Sequence, residues 1–131
     1  MTVTALPKRP IYGNASDPIV GSFLAALDQH EAELADPCGD VVLAEAALQG
    51  MLQVACDESP STPAGKALAL AVARYHVHAL IEGFEDRTDK TIDVYDHVLL
   101  ERLRVVLRNL WLGTDQPPEI APIVAHLGIQ N

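Results

Sequence analysis

The sequence predicts an all-α fold: an antiparallel four-helix bundle-like domain with an extended N-terminal arm and a short C-terminal fifth helix. Three observations predict it. Hydrophobic residues make up 49% of the 131 but aromatic ones only 5%. The apolar content is therefore carried by Ala, Leu and Val, which suits helices better than sheets. Four long stretches repeat apolar residues at helical spacing. Each is bounded by Pro, Gly, Asp, Ser or Thr, the residues that start and stop helices. A chain of this length is expected to be one domain with a real core. Residues 1–16 are set apart as the arm and residues 17–131 as the helical domain.

The arm carries Pro7, Pro10 and Gly13 and has no apolar period. Lys8, Arg9, Ile11 and Tyr12 suit docking on an acidic neighbour, and an unanchored terminus is the commoner outcome. The first helix is expected from about Pro18 to Leu34, capped by Ser16 or Asp17 with Pro18 in its first turn. Ile19, Phe23, Leu27, His30 and Leu34 share one face of it. Asp36-Pro37-Cys38-Gly39 then makes a tight connection. The second helix, about Val41 to Asp57, buries Val41, Ala44, Leu48, Met51, Leu52 and Ala55.

Ser59-Pro60-Ser61-Thr62-Pro63 is the clearest break, with Thr62 capping the third helix and Pro63 inside it. That helix, about Ala64 to Asp86, is expected to turn Leu70, Ala73, Val77, Leu80, Ile81 and Phe84 inward. Small residues Ala69, Ala73 and Gly83 permit close helix approach. The fourth stretch, Thr91 to Leu112, is the expected organiser of the bundle. Ile92, Tyr95, Leu99, Leu103, Val106 and Leu110 form a narrow apolar stripe, widened by Val94, Val98, Val105 and Leu112 on one side and Leu100 and Leu107 on the other. Asp93, His97, Glu101, Arg104 and Arg108 are its one polar strip. The core is expected to take most of so wide an arc, and any remainder becomes an oligomer face. Asp89 or Thr91 caps this helix, and Gly113 ends it. After Pro117-Pro118 a last short helix runs from about Glu119 to Leu127.

Charge is segregated. Between Arg9 and Lys66 there is no Lys or Arg, while nine acidic residues accumulate. With a net charge of −9 the chain is expected to repel nucleic acid. The end, EIA…LGI, resembles the first helix of a helix-turn-helix, but with this net charge DNA reading through it is not expected. The fourth stretch is interrupted by too many charges to span a membrane, and no apolar leader precedes the domain. A cytoplasmic, bacterial protein is the default. Cys38 and Cys56 flank one helix at a separation of roughly 27 Å, too far for a disulfide, and read as buried small apolar residues.

Four polar residues fall on faces that read as buried: His30, Glu45, His76 and Asp96. One account is a hydrogen-bonded polar layer built on pairs such as Glu45–Arg102 and His76–Asp96. The other is a metal or small-ligand site in the bundle core, although paired Glu-x-x-His motifs are absent. His97, Arg104, Arg108 and Trp111 line one strip of the fourth helix and are candidates for a protein interface, since Arg and Trp favour hot spots. Intramolecular cover of Trp111 by Ile120, Ile123, Val124 and Leu127 is the competing account. Arg74, Tyr75, His78, Glu82 and Glu85 read as the solvated arc of the third helix. No phosphate-binding loop or Ser/His/Asp arrangement stands out, and no cofactor is expected. The expected role is a non-enzymatic interaction module with a protein partner or a second copy of itself. A metal- or ligand-binding bundle is the alternative.

Overall fold

The computed structural model describes residues 17–85 and 94–129, with helices α1 (Pro18–Ala35), α2 (Val41–Asp57), α3 (Pro63–Glu85), α4 (Val94–Leu112) and α5 (Ala121–Leu127). A 3-10 turn at Pro118–Ile120 leads into α5. The all-α, bundle-like expectation holds. The N-terminal arm with Ser16, the capping candidates Asp89 and Thr91, and Asp93 of the polar strip lie outside the described residues.

Local chemistry accounts for the helix starts. Asp17 Oδ1 accepts from Ile19 N and Val20 N at 2.8 and 3.1 Å, capping α1. Its second oxygen accepts from Thr62 Oγ1, and Thr62 Oγ1 in turn accepts from Gly65 N at 2.9 Å. One carboxylate thus ties the starts of α1 and α3 together. Gly65 is required there: a Cβ on it would sit 2.6 Å from Asp17 Oδ2 and 3.1 Å from Thr62 Oγ1.

The α1–α2 connection is equally specific. Asp36 accepts from Cys38 N through its side chain and from Gly39 N through its carbonyl, both at 2.9 Å. Glu33 Oε1 accepts from Asp40 N at 2.6 Å, and Asp40 caps α2 through Leu43 N. Gly39 packs so tightly on the Glu33 backbone that a Cβ would overlap the Glu33 carbonyl. Gly39→Ala is therefore expected to open this turn and cost about 2 kcal/mol, read as a lower urea midpoint with an unchanged slope.

The core joins Val20, Phe23, Leu24 and Leu27 of α1 to Leu48, Leu52 and Ala55 of α2. It continues through Ala64, Ala67, Leu68, Ala71 and Val72 of α3, then Trp111, Ile120, Ile123 and Leu127. The central element is α3, which packs against α1, α2, α4 and α5, whereas α4 packs chiefly on α3. This corrects the expectation that the fourth helix organises the bundle. The reason is steric: Ala64, Ala67 and Ala71 let neighbours approach α3 closely. The expected small-residue line is not the one used, because Ala69 and Ala73 are half-buried and Gly83 is exposed with open space around it.

Other inward expectations are also corrected. Leu34 and Leu80 are exposed, and Arg74, read as solvated, is buried. Cys38 and Cys56 are free and exposed rather than buried.

Candidate functional site

The largest departure from expectation is the rotation of α4 about its axis. The side chains of Tyr95, Val98, Leu99, Leu103, Val105, Val106, Leu110 and Leu112 are between 37% and 64% exposed. Half-buried His97, Leu100, Glu101 and Leu107 and fully buried Trp111 lie on the opposite side of the helix. The apolar stripe faces out, and much of the polar strip faces the domain. Eight of the thirteen exposed large apolar side chains among the described residues belong to this one helix. A shallow groove lined by His97, Val98, Glu101, Arg102, Val105 and Val106 runs along one flank of the helix, where the two sides meet.

Trp111 anchors the inner side. It is 3% exposed and shares the core with Ile120, Ile123 and Leu127, which is the intramolecular cover weighed against an interface role. Its carbonyl accepts from Gln116 Nε2 at 2.9 Å and Thr114 N at 3.1 Å, folding the following chain back over the helix end. The Arg74 guanidinium lies 5.7 Å from the centre of the indole ring. Burial, and then the positive charge of Arg108, push the Arg74 guanidinium below its ordinary pKa. Arg74, His78, Arg104 and Arg108 line one cavity of about 450 Å³ between α3 and α4, with Val77, Leu107 and Ile129 among its apolar walls.

Of the four residues expected to converge inward, only two meet. His30 Nε2 lies 3.7 Å from Glu45 Oε2, too long for a hydrogen bond. That nitrogen is buried and has no hydrogen-bond partner among the described residues. Glu45, His76 and Asp96 are exposed, so the inward placement of these three is corrected. Among the described residues neither Glu45–Arg102 nor His76–Asp96 forms an ion pair, and no group of three or more His, Cys, Asp or Glu side chains is placed to hold a metal. The physical reason is the packing: His30 faces α5, where its ring meets that of His126 edge-on at 6.0 Å. Burial, then the nearby His30, hold His126 below 6.5 against the opposing pull of Glu31. His76 instead stacks edge-on against Tyr75.

The interface candidates divide. Trp111 is buried, His97 is half-buried, and Arg104 and Arg108 stand at the cavity. Arg104 also pairs with Glu101 at 2.6 Å. Arg74 and His78, expected on the solvated arc of α3, are respectively buried and half-buried and complete this cluster. Their signal was present as two basic pairs of i,i+4 spacing, Arg74/His78 and Arg104/Arg108, on helices joined by a short link.

The fold and its cavity define a small all-α helical domain with an outward apolar helix face. No family model, curated protein or solved structure matches this chain. Among the described residues no helix is long and apolar enough to cross a membrane.

Proposed function

We propose that this chain is a small acidic protein-interaction module, a non-enzymatic regulator or adaptor of the cytoplasm, that pairs with a second copy of itself through the outer face of α4. The observation that carries this reading is the outward turn of that helix. Its eight exposed apolar side chains leave on the order of 700 Å² open, above the few hundred Å² usual on a monomer and close to the ~800 Å² per partner of a stable interface. A symmetric dimer uses the same patch on both copies, so the face must complement itself.

Charge supports one orientation. Arg102 stands within the apolar arc, and Asp96 lies six residues earlier at its edge. Parallel pairing about a two-fold axis sets Arg102 against its own copy. Antiparallel pairing brings Arg102 toward Asp96 of the other copy and stacks Leu99 and Leu103 between them. The net charge of −9 makes nucleic acid an unsuitable partner.

Light scattering on the eluted peak is the test. The expected mass is twice the 14.1 kDa of the chain. Leu99→Asp with Leu103→Asp should give a monomer of unchanged helicity, whereas Val42→Asp, at an apolar side chain exposed elsewhere, should leave the dimer intact. Arg102→Asp and Asp96→Arg should each weaken pairing and together restore it. A wild-type monomer at every concentration would sink the proposal.

A further inference from the structure

We propose that the cavity between α3 and α4 binds a small organic oxyanion, a carboxylate or a phosphate monoester carried on a compact apolar body. The distribution of positive charge argues for it first. The described residues contain five Lys and Arg side chains, and three of them, Arg74, Arg104 and Arg108, line this one cavity in a chain of net charge −9. Solubility alone scatters cations over a surface; it does not turn them toward one another between two helices.

Geometry argues for it second. Arg74 is only 8% exposed, and its guanidinium is held over the Trp111 ring, so its side chain is ordered before any ligand arrives. Arg108 stands close enough for the two like charges to repel, a cost that an anion between them reverses. Glu101 pairs with Arg104 and Glu82 with His78, so those two acids balance the rim on either side. Among the described residues Arg108 has no acidic partner. Guanidinium groups are suited to planar carboxylate and to phosphate oxygens because they donate two parallel hydrogen bonds.

The remaining wall sets the class of ligand. Val77, Leu107 and Ile129 give an apolar side to a space of about 450 Å³, within the range that holds small molecules. An inorganic ion fills only the polar part, whereas a benzoate or an aryl phosphate also covers the apolar wall. The cavity is built within one chain between α3 and α4, and of the eight outer-face side chains only Val105, at the seam, also lines it.

The full chain supplies its own probe, since Trp111 is its single tryptophan and lies against Arg74. Benzoate and phenyl phosphate should change Trp111 fluorescence and raise the melting temperature by several degrees at about a hundredfold excess over Kd. Inorganic phosphate should bind more weakly, and benzyl alcohol, which has the apolar body without the charge, should not bind. Arg108→Ala should weaken phenyl phosphate about tenfold or more, with Arg108→Lys intermediate and helicity unchanged. Lys66→Ala, which removes the same charge elsewhere, should leave binding as it is. Benzyl alcohol binding as well as phenyl phosphate overturns the proposal, as does full binding by Arg108→Ala or no response to any of the probes.

Discussion

Replacing Trp111 with alanine is expected to cost about 3–5 kcal/mol. The indole is 3% exposed and is where the end of α4, the 3-10 turn and α5 converge on α3. Its removal opens a void that rigid helices on three sides cannot close, and it takes away the ring under the Arg74 guanidinium. Arg74 is then a buried charge with less to offset its desolvation. Phenylalanine keeps part of the volume and an aromatic face, so Trp111→Phe should lose about 1–2 kcal/mol. Urea unfolding followed by circular dichroism at 222 nm separates the two. Equal small losses for both variants would mean that α5 packs on the bundle without the indole as its anchor.

The helix ends were legible in the sequence because each is written in local chemistry. Asp17-Pro18, Asp36-Pro37-Cys38-Gly39 and Thr62-Pro63 name their own caps and turns, and the observed hydrogen bonds use them. The buried face of α2 was legible for a different reason: Ala44, Leu48, Leu52 and Ala55 form one stripe, and Gln49, Gln53 and Asp57 lie off it and are exposed. The inward side of α4 was not. Its apolar residues cover more than half the circumference, so periodicity identifies a helix without choosing a direction. Tertiary packing makes that choice through Trp111, one bulky side chain that fits against α3 and α5 and carries Leu100 and Leu107 inward with it. The polar strip follows because Arg stems pack along apolar surface while their charged ends reach open space. Once α4 is turned in this way, Arg104 and Arg108 meet Arg74 and His78 at the cavity, and the outer stripe is left for a partner. The same rotation thus generates both proposed sites, which no reading of either helix alone brings together.

Replacing Asp17 with alanine is the second large effect, about 2–3 kcal/mol, because a single side chain serves two helices. It satisfies Ile19 N and Val20 N at the start of α1 and accepts from Thr62 Oγ1, the group that caps α3. Asp17 is 5% exposed, so water does not readily replace these bonds. The same contacts fix a pH dependence. Burial by itself raises the carboxyl pKa, but the hydrogen bonds from Thr62, Val20 and Ile19 outweigh it and leave the group below its ordinary 3.8. Between the two values the unfolded chain binds the proton and the folded chain does not, so stability falls as pH falls. The contribution is complete above about pH 3.8 and is lost as pH drops through the lower folded value. Asp17→Asn keeps the amide acceptor for α1 but has no charge to lose. Its stability should therefore run below wild type at neutral pH and converge on it in acid, as read from urea midpoints across that range. Parallel curves that never converge would assign the acid sensitivity to other carboxylates and reduce Asp17 to a cap of α1 alone.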